Sequence, residues 1–197
     1  ANAGPGIAIA VSSVTGNTIG GSAAGAANTI AYNSQQGVTV TGASSTGNRI
    51  SRNAIYSNTG IGIDIAAGGR NSNNGSKNAG LGNQEMDTPV ITTAQLASGT
   101  TLTLAGYVGS AANQATFASP SVEFFKALND GTGYGQGQVY LGTLTADSSG
   151  NFSGSVAVSG LSAGDLITAT ATDASGNTSA FSANATASST ITGKVFE

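Results

Sequence analysis

A short phrase that occurs twice between Asn28 and Ile65 constrains the fold of this chain more than any other feature. An Asn-x-Ile phrase begins at Asn28 and again at Asn53, and a glycine-led apolar alternation begins at Gly37 and again at Gly60. The repeat length is thus between about 20 and 30 residues, which is typical of a solenoid whose unit is one coil of short strands separated by Gly and Asn. The sequence therefore predicts stacked coils.

Two earlier segments extend the repeat towards the N-terminus. Gly-Ile-Ala-Ile at residues 6–9 is another glycine-led strand, and Gly-Asn-Thr-Ile at 16–19 matches Gly-Asn-Arg-Ile at 47–50. The second match has a longer offset than the phrase at Asn28 and Asn53. It predicts an insertion in one turn, which we place at the Gly-Gly-Ser-Ala-Ala-Gly segment, residues 20–25. Between two and three coils are expected.

Alternate side chains of each coil are expected to point inward and to stack on their equivalents in the next coil. Asn33 and Asn58 occupy the same place in successive phrases. They are either members of a hydrogen-bonded asparagine ladder or ordinary turn residues. The expected inward stacks are Ile30 on Ile55, Val38 on Ile61 and Val40 on Ile63.

Residues 1–67 resemble the right-handed parallel β-helix repeats of large secreted bacterial proteins. The resemblance rests on residues 16–30, on Asn-x-Ile-x-x-Asn at 53–58 and on Gly-Ile-Gly-Ile-Asp-Ile at 60–65. It implies the C-terminal coils of such a helix, truncated at the N-terminus, with a targeting signal expected upstream. Proteins with this fold include lyases, hydrolases, phage tailspikes and adhesins, so the resemblance alone does not specify a function.

Residues 68–88 interrupt the apolar pattern and are interpreted as a linker and cap. The last coil of a solenoid exposes unpaired backbone groups unless another segment covers them. We therefore expect residues 66–100 to close the C-terminal end of the coils and to bury Ile61, Ile63 or Ile65.

From Pro89 onwards, strands alternate with closely and regularly spaced turn signals, which indicates a β-sandwich at residues 89–188. The predicted strands are 89–96, 100–108, 121–127, 138–146, 151–158, 165–173 and 178–187. The predicted core consists of Val122, Phe124, Leu141, Leu144, Phe152, Val156, Val158, Leu166, Ile167 and Phe181.

The run at residues 167–182, with its Asp173-x-x-Gly-Asn177 hairpin, resembles the end of the immunoglobulin-like modules found in bacterial surface proteins. Residues 189–197 are interpreted as the start of a following module, which resembles the opening of collagen-adhesin B-type repeats. The predicted fold class is therefore all-β: C-terminal coils of a right-handed parallel β-helix followed by an immunoglobulin-like antiparallel β-sandwich.

Composition excludes several kinds of chemistry. The chain contains no Cys and no His, which removes disulfides, thiolate chemistry and the usual zinc sites. A net charge of −3 with six scattered basic residues provides no electrostatic footprint for nucleic acid. The absence of a long apolar run argues against insertion into a membrane.

Acidic residues are too few to predict an active site, and we expect no catalytic residues. Glycoside hydrolysis normally needs two carboxylates about 5–10 Å apart, and only Asp64 is available in the coils. Asp64 with Arg49 and Arg52 also falls short of a lyase site. These three residues are interpreted as a solvated Asp at the edge of the last coil and two surface arginines.

Three further candidate sites remain. Neither a cofactor nor a metal is expected, but a calcium site remains an open alternative, because calcium binds oxygen ligands. Its ligands would be Glu85, Asp87 and Asp64, with additional oxygens from Asn83 and Gln84. Asp173 and Asn177 are interpreted as a plain turn. Tyr134, on the glycine-rich loop at 129–137, is the exposed aromatic residue expected to stack on a sugar if the sandwich binds one.

The sequence as a whole indicates a structural or adhesive segment of a bacterial secreted or cell-surface protein, acting as a stalk or spacer. Glycans or a host surface are the expected partners, together with end-to-end self-association through the open first coil. Two alternatives remain. The chain could be the non-catalytic C-terminal part of a β-helix polysaccharide lyase or hydrolase, or its sandwich could be a carbohydrate-binding module.

Overall fold

The protein is all-β, as described by a computed structural model for residues 2–66 and 68–189. Helix occurs in these ranges only as two short 3-10 turns, Gly82–Glu85 and Ala115–Phe117. Neither turn is long or apolar enough to cross a membrane. The strands divide into a coil region, residues 2–66, in which all pairings are parallel, and a sandwich, residues 89–189, in which most are antiparallel.

The coil region consists of three parallel sheets that the chain visits in turn. The first sheet has the order β1-β4-β7, the second pairs β2 with β5, and the third pairs β3 with β6. The chain thus passes through each sheet and returns to the first. The strands are β1 (Ile7–Ile9), β2 (Thr18–Gly20), β3 (Thr29–Ala31), β4 (Val38–Val40), β5 (Arg49–Ser51), β6 (Ala54–Tyr56) and β7 (Ile63–Asp64).

The register explains why the sequence repeat has two lengths. Ile7 pairs with Val38, whereas Ile30 pairs with Ile55, which is a shorter step along the chain. The extra length lies between β2 and β3, where residues 21–28 form a loop, while only residues 52–53 separate β5 from β6. The predicted insertion and the Ile30–Ile55 stack are confirmed.

The stack predicted for β4 was wrong by two positions. Val38 pairs with Ile63 rather than with Ile61, and the Val38 N–H donates to the carbonyl of Gly62. Because side chains alternate with a period of two, a shift of two positions leaves the same apolar side chains facing inward. The sequence Gly60-Ile-Gly-Ile therefore offers two equivalent frames, and hydrophobic pattern does not distinguish them.

Three pairs of asparagines connect successive coils. The backbone N–H and the side-chain Nδ2 of Asn33 both donate to Oδ1 of Asn58, at 3.1 and 2.8 Å. The same arrangement joins two further pairs, so the ladder interpretation of Asn33 and Asn58 is confirmed and extended. The additional pairs are Asn17 with Asn48 and Asn28 with Asn53.

The sandwich consists of two four-stranded sheets, with the orders β11-β10-β13-β14 and β12-β9-β8-β15. They pack through a shared apolar core, in which the rings of Phe124 and Phe152 meet edge to face at 5.5 Å. The strands are β8 (Pro89–Ala97), β9 (Thr101–Val108), β10 (Ser121–Ala127), β11 (Gly137–Thr145), β12 (Asn151–Ala157), β13 (Leu166–Thr172), β14 (Ala185–Thr186) and β15 (Ser188–Ser189).

Six of the seven predicted strands are present, but the strand predicted at 178–187 is not continuous. Only β14 forms there, and serine hydroxyls replace backbone acceptors beside β13: Ser179 Oγ accepts from the Ala171 N–H and Ser182 Oγ from the Ala169 N–H. Residues 188 and 189 form β15, which pairs in parallel with β8, so residue 189 belongs to the sandwich and not to a following module. The rest of the predicted following module, residues 190–197, lies outside the described residues.

Half of the predicted core is buried, namely Val122, Phe124, Phe152, Ile167 and Phe181. The other half, including Leu141 and Leu144, is only partly buried. The prediction missed an apolar group contributed mainly by β8, β9 and the residues around them. Its members are Met86, Leu96, Leu102, Leu104, Val108, Phe117 and Phe125.

Substitution of Gly82, the first residue of the 3-10 turn Gly82–Glu85, tests how closely this turn approaches the coils. A Cβ added at Gly82 would overlap the carbonyl oxygens of Val40 and Ile65, whereas one added at Gly4 meets nothing within 4 Å. We expect Gly82→Ala to lower the free energy of unfolding by about 1–3 kcal/mol, as overpacking does, and Gly4→Ala to change it by less than about 0.5 kcal/mol. Urea titration of both variants measures the difference, and equal stabilities would contradict the close approach.

Candidate functional site: the junction between the coils and the sandwich

The outer edge of the last coil is where the two halves of the chain meet. Among the described strands, β5 and β6 have a parallel neighbour on one side only. Alternate backbone groups of an edge strand point away from its neighbour and need partners once they are buried. At this edge those partners are side chains from outside the coil region, and we call the set of contacts the junction.

Side-chain oxygens accept hydrogen bonds from the edge N–H groups of the second coil. Ile50 donates to Oγ1 of Thr178 at 2.9 Å, and Gly47 donates to Oδ1 of Asn177 at 2.7 Å. Glu123 is buried, and its two carboxylate oxygens accept from the Arg52 N–H and the Ser51 hydroxyl, at 2.9 and 2.6 Å. The acceptors come from β10 and from the segment that follows β13.

Two of the asparagine ladders end in an amide side chain from outside the coils. Gln136 Oε1 accepts from the N–H and Nδ2 of Asn58, both at 2.9 Å, while Gln136 Nε2 donates to the Asn58 carbonyl at 2.8 Å. Asn83 similarly accepts from the Asn48 N–H at 3.0 Å and donates to the Asn48 carbonyl at 2.7 Å. An amide carries both a donor and an acceptor, so one side chain satisfies both backbone groups of a residue.

The cover over the last coil is therefore wider than the predicted residues 66–100. That range supplies Asn83, but β10, the 129–137 loop and the segment after β13 supply the other partners described above. Ile63 and Ile65 are buried as expected, whereas Ile61 is only half-buried. The ring of Phe181 lies so close to Gly62 that a Cβ there would be 2.7 Å from it.

Asp64 is not the solvated residue that the sequence suggested. Only 3% of it is exposed, and its carboxylate lies 3.5 Å from Nε2 of Gln36 and accepts from the Ala66 N–H. These two contacts come from the segment before β4 and from the residues directly after β7. Arg49 and Arg52 are half-buried rather than fully exposed, and the Arg52 guanidinium lies 4.9 Å from the centre of the Tyr140 ring.

The side chains that were candidates for calcium ligands each hydrogen-bond to different partners. Glu85 accepts from Asn71, Asp87 accepts from the backbone N–H groups of Asn74 and Gly75, and Asn83 belongs to the junction. Burial raises the pKa of the Asp87 carboxyl, against the opposing effect of those two amide bonds. Gln84, like Asn83, has a left-handed backbone, with φ of 56°. In residues 2–66 and 68–189, no three acidic side chains come together.

The Asp173 turn is confirmed and has an additional partner. Asp173 accepts from the N–H groups of Ser175 and Asn177, and Lys77 Nζ lies 2.7 Å from its second oxygen. Burial raises the pKa of this carboxyl, but hydrogen bonds from Lys77 and Asn177 outweigh that effect and lower the pKa overall. The turn also orients Asn177 towards Gly47, a link that sequence spacing does not reveal.

Tyr134 is not the free aromatic platform that the sequence suggested. The residue is half-buried and bridges to Ala183, and the Arg70 guanidinium carbon lies 3.1 Å from the centre of its ring. One ring face is thus occupied by the linker. Arg70 and Tyr134 both line a groove of about 290 Å³ between the linker and the sandwich. The same loop inserts Gln136 into the junction, so part of it has a structural role.

Comparison with known proteins leaves the family open. No family model matches the sequence. Among solved structures, the chain is similar to the adhesin domain of Epf from Streptococcus pyogenes, with a TM-score of 0.36 and 13% sequence identity. The alignment covers 56% of this chain and 34% of that one, so this chain spans about a third of the length of its neighbour. A likeness at this level carries no argument about fold or function.

Gln136 provides the sharpest test of the junction. Gln136→Ala leaves the buried N–H and carbonyl of Asn58 without partners, and each unsatisfied group costs about 1–3 kcal/mol. We therefore expect the free energy of unfolding to fall by about 2–6 kcal/mol. Gln95→Ala is the matched control, because Gln95 is exposed on β8. Urea unfolding measures both variants, and an equal effect of the two would contradict the role given to Gln136.

Proposed function

We propose that this chain is a structural and adhesive segment of a bacterial secreted or cell-surface protein, serving as a stalk or spacer. In this proposal residues 2–66 are the C-terminal coils of a right-handed parallel β-helix, and residues 89–189 are an immunoglobulin-like module docked on their end. The three parallel sheets, visited in turn with in-register partners, support the first assignment. The two packed four-stranded sheets support the second.

The observation that carries the proposal is the junction itself. A spacer that transmits force needs its modules joined by more than a flexible linker. Here the sandwich supplies partners to the edge of the last coil from three separate segments, represented by Glu123, Gln136 and Thr178. Breaking the junction would expose several buried backbone groups together, so the two halves should separate only with difficulty.

The proposed partners are glycans or a host surface, reached either by this chain or by modules joined to it. End-to-end association through the first coil is also part of the proposal, because β1, β2 and β3 each pair on one side only among the described strands. The enzyme-tail alternative differs in its upstream coils, where stacked Asp, Glu and Arg would favour a lyase or hydrolase. The carbohydrate-binding alternative places the function in the sandwich.

Single-molecule pulling tests the spacer role. With the chain held between marker domains, we expect the coils and sandwich to unfold in one event that releases most of the roughly 180 folded residues, about 60 nm at roughly 3.3–3.6 Å per residue. Two well-separated events at low force, one for each half, would contradict a mechanically joined unit.

Incubation with a polysaccharide panel tests whether this chain is itself catalytic. The spacer proposal predicts no new reducing ends and no unsaturated products, whereas turnover by this chain would overturn it.

A further inference from the structure

A second groove, distinct from the one beside Tyr134, runs along the junction. It has a volume of about 390 Å³, within the usual range for ligand sites. One wall is the outer face of β2 and β5, the opposite wall is the outer face of β10 and β11, and the loop at residues 21–28 contributes to the rim. The lining side chains that matter for recognition are Thr18, Arg49, Arg52, Ser121, Glu123 and Thr143.

Strand alternation fixes the orientation of these side chains. Ile19 and Ile50 are register partners that point into the coil, so their neighbours Thr18 and Arg49, also register partners, point outward. On the sandwich side, Val122 points into the core between Ser121 and Glu123. A groove whose walls are regular strands is preformed, which reduces the entropic cost of binding a ligand.

The charges in this groove favour an anion. Lys77 and Lys126 form ion pairs elsewhere, with Asp173 and Asp165, whereas no ion pair involves Arg49 or Arg52 in the described part of the chain. Nε of Arg52 is also buried without a hydrogen-bond partner there. Guanidinium groups bind carboxylates in a bidentate fashion, so the two arginines offer donors that the protein itself leaves unused.

The rest of the lining narrows the ligand class. Thr18, Ser121 and Thr143 line the groove together with the arginines, and their hydroxyls can exchange hydrogen bonds with sugar hydroxyls as donors or acceptors. The Glu123 carboxylate accepts from the Ser51 hydroxyl and the Arg52 backbone N–H. Its negative charge partly offsets the positive charges of Arg49 and Arg52, so the groove is only weakly positive. This weak charge disfavours multiply charged phosphates and nucleic acid, and suits one carboxylate on an otherwise neutral, hydroxyl-rich molecule.

We propose that this groove binds an acidic saccharide, with Arg49 and Arg52 holding the carboxylate of a sugar ring and the Ser and Thr hydroxyls holding its neutral hydroxyls. The inference deepens the proposed adhesive function and rests on it. It places adhesion at the junction rather than at Tyr134 or on the open first coil.

Calorimetric titration of the full chain with a glucuronate-containing tetrasaccharide tests the proposal. The matched ligand is the methyl ester of the same tetrasaccharide, which keeps the ring hydroxyls and removes the charge. We expect the acid to bind and the ester to bind at least about tenfold more weakly, because the ester removes the charge-assisted hydrogen bonds that the arginines donate to the carboxylate.

Variants locate the site. Arg49→Gln should weaken binding of the acid about tenfold or more. It should leave the melting temperature nearly unchanged, since the Arg49 side chain makes no hydrogen bond or ion pair to the residues that the structure describes. Arg70→Gln, in the groove beside Tyr134, should bind like the unmodified protein.

Equal binding of acid and ester, an unchanged affinity in Arg49→Gln, or no binding of the acid would each overturn the proposal. None of these outcomes bears on the pulling experiment, so the spacer role stands or falls separately.

Discussion

The structure depends on satisfying the backbone groups at the edge of the last coil. Parallel strands stacked in register repeat the same hydrogen bonds, and the outermost strands leave N–H and carbonyl groups that water or another element must satisfy. In this chain Gln136 and Asn83 accept from the backbone N–H groups of Asn58 and Asn48, as the next rung of each ladder would, and they also donate to the carbonyls of these two residues. The sandwich thus ends the ladders with side chains instead of another coil.

This requirement accounts for the unusual interior of the sandwich. Strand β10 is buried on both faces, with Val122 and Phe124 in the sandwich core and Glu123 and Phe125 on the side of the coils. Thr168, Thr170 and Thr172 on β13 are also buried, although the alternating Thr and Ala pattern suggests one solvent-facing side. On this face Glu123 accepts from the coils, whereas Thr168 and Thr172 bond to Ser182 and Thr178 in the segment that follows β13.

Local pattern was sufficient to predict the repeat, the position of the insertion, the asparagine ladder and six sandwich strands. Each of these depends on contacts between residues whose spacing repeats along the chain. The register of β7 was not predictable, because a shift by two positions preserves the inward pattern. The junction was not predictable either, since Asn58 and Gln136 are far apart in the chain and no repeat relates them. The exposure of Tyr134 was not predictable for the same reason, because it depends on Arg70 and Ala183, which are distant in the chain.

Native-state hydrogen exchange tests the account most directly. The backbone N–H groups of Ile50, Arg52 and Asn58 donate to side-chain acceptors from the sandwich. If the sandwich ends the coils as described, these three amides should exchange as slowly as the Val38 amide, which donates to Gly62 inside the stack. Exchange at the rate of freely solvated amides, with Val38 still protected, would show that the coils and the sandwich are not joined in this way.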